Sequence, residues 1–192
     1  MPPLVLASTS IYRKQLLERL GLPFATDRPD LDESALPAES PTATAERLAL
    51  AKARAVADRH PGALIIGSDQ VAHSGTERFG KPGTVERAIA QLQAMRGKSI
   101  FFHTALCLFD SRDGSYQLEA VGTEARFRSL SDEEIRRYVE QELPLDCAGS
   151  AKSEGLGISL LEYMRGDDPN ALIGLPLIAL CRMLRNVGVA VP

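Results

Sequence analysis

The sequence lacks the features that place a protein in a membrane or outside the cell. None of its apolar runs reaches the roughly 18 residues that a transmembrane helix needs. Residues 1–4 lack the basic region that opens a signal peptide. Its three cysteines, Cys107, Cys147 and Cys181, are too few and too far apart for a disulfide framework or a zinc motif. We therefore expect a cytoplasmic protein with reduced thiols.

The sequence also lacks an excess of positive charge. Its 22 Lys and Arg residues stand against 25 Asp and Glu residues, a formal net charge of −3. Nucleic acid and anionic membranes attract a basic surface, so we expect neither as a partner. Any anionic ligand must be small and recognised locally. With 44% hydrophobic residues and no repeat or low-complexity linker, we expect one globular domain over residues 1–192.

The first 21 residues read as a strand, a turn and a helix. An apolar run over residues 4–7 leads into three hydroxyl residues, and a helical pattern follows that ends at Gly21. Ser8 and Ser10 are good N-cap residues, and a helix N-terminus attracts anions. Arg13 adds a planar fork suited to phosphate oxygens. The segment is therefore either an ordinary capped helix or a phosphate-binding turn.

An acidic, proline-rich loop follows over residues 27–37. Such a run is usually a solvated surface loop, but carboxylate oxygens are also the ligands that a hard cation prefers. Both interpretations stay open. The acidic residues are Asp27, Asp30, Asp32 and Glu33.

Residues 41–59 form an alanine-rich segment with strong helix propensity. Lys52 lies four residues after Leu48 and four before Val56, so it interrupts an apolar stripe. Taken alone, this pattern predicts a lysine that snorkels to water. A lysine that leans inward would instead suit a triphosphate pocket.

An apolar strand over residues 63–67 runs into Ser68, Asp69 and Gln70. A carboxylate after such a strand is costly to bury unless it is paired or metal-bound. Ligands of open α/β sheets collect at the carboxyl ends of the strands, where we expect Asp69 to lie. We favour a functional role for Asp69 over a capping role.

The rest of the chain predicts an α/β fold with a mixed, twisted sheet flanked by helices, a hairpin-built second lobe and a cleft between the lobes. Thr84 is expected to cap one helix, and a capping box begins at Ser131. Glycines in residues 147–157 permit close backbone approach to a ligand. The predicted helices cover residues 84–95, 132–142 and about 176–184, and the predicted strands cover residues 23–26, 99–110, 116–128 and 158–163.

Seven motifs in this order resemble the Maf family of nucleoside triphosphate pyrophosphatases. The resemblance implies a fold similar to the inosine triphosphatase superfamily and hydrolysis between the α- and β-phosphates. The motifs are Ala7–Ser10 with Arg13, Asp30–Glu33, Lys52, Gly67–Gln70, Gly80–Pro82, Ala148–Ser150 and Gly174–Pro176.

The resemblance also implies roles for individual residues. Asp69 would accept a proton from the attacking water. Glu33 and Asp69 would hold a divalent cation, with Mg²⁺ expected and Mn²⁺ or Co²⁺ as alternatives. The substrate phosphates would be bound by Ser8, Ser10, Arg13, Lys52 and Lys81.

Within the family, one branch is similar to dTTP/UTP pyrophosphatases and another acts on 7-methyl-GTP. Gln70 and Glu154 resemble the second branch, and Tyr12 stands where some relatives have tryptophan. The methylated guanine ring is cationic, so Tyr12 would attract it by about 0.5–2 kcal/mol beyond stacking. Glu154 can accept hydrogen bonds from N1–H and N2–H on the Watson–Crick edge of guanine. Uracil or thymine would present acceptors to this carboxylate and be repelled. We therefore predict a house-cleaning 7-methyl-GTP pyrophosphatase.

Two alternatives remain open. One is the same chemistry on dTTP or UTP, and the other is a nucleotide-binding regulator of septum formation. The expected partner is a small-molecule nucleotide, and we expect a homodimer by analogy with many small nucleotide enzymes. We assign no role to His60, His73 and His103, which lack metal spacing. Cys147 is read as a packing residue.

Overall fold

The structure is a computed structural model that describes residues 2–191. Helices and strands alternate over much of this range, which confirms the predicted α/β class. The helices are α1 (Ile11–Glu18), α2 (Pro41–Ala57), α3 (Val85–Met95), α4 (Asp132–Glu142) and α5 (Leu177–Asn186). The strands are β1 (Leu4–Ala7), β2 (Ala25–Asp27), β3 (Leu64–Ser74), β4 (Glu77–Phe79), β5 (Ser99–Asp110), β6 (Tyr116–Phe127) and β7 (Leu161–Gly166).

The strands form one mixed sheet in the order β2-β1-β3-β5-β6-β7, with β4 paired to β3. Strand β1 runs parallel to both β2 and β3, whereas the β3–β4 and β6–β7 pairs are antiparallel. The hairpin strands β5 and β6 are neighbours in the sheet and are joined by residues 111–115. The sheet is therefore mixed, as predicted. Among residues 2–191, the structure contains no helix long and apolar enough to cross a membrane.

The chain divides into two compact units. The first unit holds the described residues up to Gln70, the segment Thr104–Val121 and the residues from Asp168 onward. The second unit holds Val71–His103 and Gly122–Asp167.

The core of the first unit lies on one face of β1, β3 and β5, where leucine side chains pack against α1 and α5. The opposite face of β3 meets α2 at Gly67, where an added Cβ would lie only 2.1 Å from the carbonyl oxygen of Ala49. Glycine is therefore required at this position, because it lets α2 approach the strand directly. The close approach determines where the buried face of α2 lies relative to β3.

The second unit is built around α3 and α4. As predicted, Thr84 and Ser131 are the N-caps of these helices, and Ser131 forms the capping box with Glu134. The glycines of the following loop serve the chain itself. A Cβ on Gly157 would lie 2.4 Å from the carbonyl oxygen of Lys152, and one on Gly155 would lie 3.0 Å from the Glu142 carboxylate. These two glycines therefore allow close packing within the unit, and the approach of a ligand to this loop stays a prediction.

Strands β3 and β7 differ most from their predicted positions, β2 begins two residues later than predicted, and β4 was not predicted. Strand β3 continues to Ser74, because its residues Ala72–Ser74 pair with β4. Strand β7 begins at Leu161, because Leu156–Leu160 form a 3₁₀ turn. The apolar run over residues 158–163 therefore predicted a strand but placed it three residues early.

Candidate active site

The turn between β1 and α1 forms the cap that the sequence predicted. The Ser10 side chain accepts the backbone N–H of Arg13 at 3.4 Å, and the buried Ser8 hydroxyl oxygen accepts the N–H of Ser10 at 3.1 Å. A hydroxyl that accepts a hydrogen bond still carries a proton to donate. Both serines therefore support the start of α1 and retain a donor that suits a phosphate oxygen.

A buried ion pair joins α2 to β3. The Lys52 ammonium lies 2.6 Å from Asp69 Oδ1 and 3.0 Å from Glu33 Oε2. Lys52 is only 4% exposed and Asp69 only 6% exposed, whereas the Glu33 side chain is 52% exposed. The prediction that Lys52 snorkels to water is therefore wrong, because two carboxylates compensate its charge inside the protein.

Asp69 lies inside β3 and not at its carboxyl end, where the sequence placed it. The correction follows from the length of β3, which continues five residues beyond Asp69 to Ser74. Side chains alternate along a strand, so Ser68 and Gln70 point away from the face that carries Asp69. The carboxylate thus lies on a rigid element.

The net effect of its environment is to raise the pKa of Asp69. Burial raises the pKa of Asp69, and the nearby Glu33 carboxylate adds to the rise. The charge and hydrogen bond of Lys52, together with the charge of Arg13, oppose this rise. A carboxylate with a raised pKa is a stronger base than an ordinary aspartate. Asp69 is therefore suited to accept a proton.

Arg13 belongs to the same cluster. Its Nε donates to the carbonyl oxygen of Gly174 at 2.8 Å. Burial lowers the pKa of the Arg13 guanidinium, while the charges of Asp69 and Glu33 raise it. The structure therefore brings together Arg13, Glu33, Lys52 and Asp69, which the sequence had selected from four separate motifs.

Gln70 faces the interior of the first unit. Its Nε2 lies 2.9 Å from Thr104 Oγ1, 3.1 Å from the carbonyl oxygen of Ala171 and 2.9 Å from that of Leu172. These acceptors occupy the amide N–H groups. The predicted specificity role of Gln70 stays a prediction.

The remaining predicted site residues are placed as follows. Tyr12 is half-buried in the first turn of α1, and Lys81 is exposed in the loop before α3. Glu154 is exposed in the loop after α4. Partial desolvation raises the pKa of Glu154, and the carboxylates of Glu142 and Asp146 raise it further against the charge of Lys152.

The donor set for a divalent cation is limited to two carboxylates. Within residues 2–191 no group of three or more His, Cys, Asp or Glu side chains could hold a metal ion. Asp27 bonds to Arg59 and His60, and Asp32 bonds to Ser34. Glu33 and Asp69 both reach one ammonium group, so their oxygens already converge on a cation. This arrangement fits Mg²⁺, which uses one or two carboxylates together with substrate phosphates.

Two sets of contacts were not predicted from the sequence. The buried Asp168 carboxylate accepts the backbone N–H groups of Asn170 and Ile178, which fixes the start of α5. In the second unit, His73 and His103 approach with their Nε2 atoms 3.1 Å apart. The sequence signal for Asp168 was its position ahead of a helix that has no capping side chain at Pro176. No local pattern connects the two histidines, because they lie on different strands.

Comparisons with known proteins come from a family model and from individual relatives. The model described as Maf-like protein matches residues 3–187. A protein of Aromatoleum aromaticum named 7-methyl-GTP pyrophosphatase is 64% identical over 189 residues, covering 98% of this chain and 97% of the relative. Proteins of the same name from Burkholderia thailandensis and Ralstonia nicotianae are each 60% identical, over 98% and 97% of this chain and 89% and 96% of their own lengths.

Proposed function

Since this chain belongs to the Maf family, as its motifs predicted, we propose that it hydrolyses 7-methyl-GTP to 7-methyl-GMP and pyrophosphate. The observation that carries the proposal is the cluster in which the buried Asp69 and Lys52 meet Glu33 and Arg13. It combines a base with a raised pKa and cations for a polyphosphate. Relatives that bear the name 7-methyl-GTP pyrophosphatase supply the proposed substrate.

Asp69 is proposed to take the proton of the water that attacks the α-phosphorus. The new P–O bond forms as the bond to the bridging oxygen of the β-phosphate breaks, and negative charge grows on the leaving pyrophosphate. Arg13 and Lys52 would stabilise that charge, because preformed cations in a buried site need little reorganisation. Ser8, Ser10 and Lys81 would supply further donors to the phosphates.

Glu33 and Asp69 would hold a divalent cation, for which Mg²⁺ is the first choice and Mn²⁺ or Co²⁺ are alternatives. Such an ion would neutralise phosphate charge and increase the electrophilicity of phosphorus. Lys52 lies between the same two carboxylates. We therefore expect Lys52 to shift toward the phosphates when the ion binds.

Recognition of the base is proposed to depend on Glu154 and Tyr12. The carboxylates of Glu142 and Asp146 add negative charge near Glu154, and the positive charge of Lys152 opposes them; the Glu154 carboxylate itself favours a cationic base over a neutral one. Glu154 would accept from N1–H and N2–H of 7-methylguanine, and Tyr12 would stack on the charged ring. We place this house-cleaning activity in the cytoplasm, with a small nucleotide as the partner. The homodimer stays a prediction.

Hydrolysis in ¹⁸O-labelled water tests the proposed reaction. With 7-methyl-GTP and Mg²⁺, the label should enter 7-methyl-GMP and pyrophosphate should be unlabelled, and a chelator should abolish turnover. Label in pyrophosphate, or release of orthophosphate, would contradict attack at the α-phosphorus. Binding without turnover in the presence of metal would instead favour a nucleotide-binding regulator.

A further inference from the structure

The carbonyl oxygen of Gly174 connects Arg13 to the strand that carries Asp69. It accepts a hydrogen bond from Arg13 Nε at 2.8 Å and lies 3.0 Å from the Ser68 hydroxyl. Ser68 is fully buried and lies beside Asp69 in β3, and its hydroxyl also reaches the carbonyl oxygen of Ala105 at 2.8 Å. One backbone carbonyl thus contacts both the phosphate-binding arginine and the strand of the proposed base.

The loop that presents this carbonyl is held on both sides. Before Gly174, the carbonyl oxygen of Ala171 accepts from Gln70 Nε2 at 3.1 Å and from Thr104 Oγ1 at 2.8 Å. Asp168 is 3% exposed, and its carboxylate accepts the N–H of Ile178 at 2.6 Å. The loop is therefore fixed to β3, β5 and α5, and its carbonyl is a rigid acceptor.

Residue 174 must be a glycine for this contact to form. Its φ of +126° is rarely adopted by residues with a side chain. An added Cβ would lie 3.4 Å from Arg13 Nε and 3.7 Å from Arg13 Cγ. A side chain at this position would therefore strain the backbone and would lie in van der Waals contact with the arginine.

A guanidinium group has five N–H donors in one plane. Because Nε donates to Gly174, the plane of the Arg13 guanidinium is fixed and its terminal nitrogens keep their donors for other acceptors. A bidentate contact to phosphate requires such a fixed plane. Resting on the function proposed above, we infer that Gly174 is a positioning residue, whose carbonyl holds Arg13 in the orientation that binds the substrate's phosphates.

The test compares Gly174→Ala with Gly188→Ala. Both glycines have a positive φ, +126° and +80°, but a Cβ on Gly188 would meet no atom within 4 Å. Gly174→Ala should lower kcat/KM for 7-methyl-GTP about 10–100-fold, because small misplacements of a binding group are costly. Gly188→Ala should change it by less than about twofold. Equal losses in both variants would overturn the inference.

A double-mutant cycle separates positioning from a general structural effect. Lysine at position 13 has no Nε–H to donate in this plane. In the Arg13→Lys background, Gly174→Ala should therefore cost no more than Gly188→Ala does. If Gly174→Ala keeps its full effect in that background, the carbonyl does not act through Arg13 and the inference fails.

A readout without turnover separates this inference from the proposed function. In ¹⁵N NMR spectra of the wild-type protein, the Arg13 Nε–H should exchange with water much more slowly than that of the exposed Arg137. The same slow exchange is expected in Gly188→Ala and its loss in Gly174→Ala. Fast exchange in the wild type would overturn the inference even if Gly174→Ala does not fold. Slow exchange together with no hydrolysis of 7-methyl-GTP would keep the Arg13–Gly174 contact but remove the proposed function.

Discussion

Asp69 and Glu154 are two carboxylates whose pKa values are raised by loss of water, yet their neighbours differ in charge. Asp69 is buried and accepts from a resident cation, Lys52, at 2.6 Å. Glu154 is exposed, and Glu142 and Asp146 add negative charge around it. Asp69 thus bonds directly to a buried cation, whereas Glu154 is influenced by the charge of Lys152 and, in the opposite direction, by those of Glu142 and Asp146. In the proposed reaction, Asp69 serves the chemistry and Glu154 the recognition of the base.

The largest effect is expected from Asp69→Asn. Removing a general base lowers turnover by about 10²–10⁴-fold, and the Asn carbonyl can still accept from Lys52, so the fold should remain. Hydrolysis of 7-methyl-GTP and circular dichroism measure the two effects. Asp110→Asn is a matched control, because both carboxylates are 6% exposed and Asp110 pairs with Arg112. Undiminished turnover in Asp69→Asn would end the assignment of Asp69 as the proton acceptor.

Glu154→Gln should affect recognition and leave the chemistry intact. Losing a charged hydrogen-bond acceptor costs about 1.5–3 kcal/mol, so kcat/KM for 7-methyl-GTP should fall roughly 10–150-fold. Hydrolysis of dTTP or UTP should not fall. Glu140→Gln, at an exposed position on α4, is the control and should match the wild type. An equal loss with every nucleotide would contradict a role in choosing the base.

Lys52→Met should shift the pH dependence of activity. Lys52 lowers the pKa of Asp69 through its charge and hydrogen bond, so its removal raises that pKa further. At low pH, kcat/KM should fall because Asp69 becomes protonated. In Lys52→Met this acid limb of the pH profile should move to higher pH by about 1–3 units. Lys14→Met, at an exposed position on α1, should not move the limb. If the acid limb does not shift in Lys52→Met, the limb reports the protonation of a group other than Asp69.

The smallest effect on activity is expected from Glu39→Gln. This variant tests how a carboxylate with a lowered pKa contributes to stability. Arg47 donates to both oxygens of Glu39, at 2.7 Å and 2.8 Å, and this hydrogen bonding lowers the pKa of Glu39 to about 2. The Glu39–Arg47 interaction contributes its full stabilisation of the folded protein above pH 4.5, the pKa of Glu39 in the unfolded chain. This contribution is lost as the pH falls through about 2.

Thermal unfolding at several pH values measures this effect. Glu39→Gln should lower the melting temperature at pH 7, and the difference from the wild type should close in acid. Glu18→Gln removes a more exposed pair, with Lys14 at 3.8 Å, and should change the melting temperature less. A difference for Glu39→Gln that persists in strong acid would show that the carboxylate charge is not its cause.

The sequence predicted what short-range chemistry determines. The caps at Ser10, Thr84 and Ser131 depend on residues within one helical turn, and all three formed as expected. The positions of Lys52 and Asp69 depend on contacts between distant elements. Lys52 was expected at the surface because its own helix gives no sign of the carboxylates that compensate its charge.

The contact between Arg13 and Gly174 was not predicted from the sequence, because it joins distant parts of the chain. Arg13 and Gly174 are 161 residues apart, and both belong to motifs that the sequence analysis selected. Their pairing follows from the folded sheet and from the loop that Asp168 fixes, and no local pattern connects the two residues. Motifs thus identified which residues matter, whereas the structure was needed to say which of them meet.

Pyrophosphate release from a panel of nucleotides tests the central claim most directly. The panel contains 7-methyl-GTP, GTP, dTTP, UTP and inosine triphosphate, each with Mg²⁺. We expect the highest kcat/KM for 7-methyl-GTP and loss of this preference in Glu154→Gln. A preference for dTTP or UTP, or no hydrolysis of any nucleotide, would contradict it.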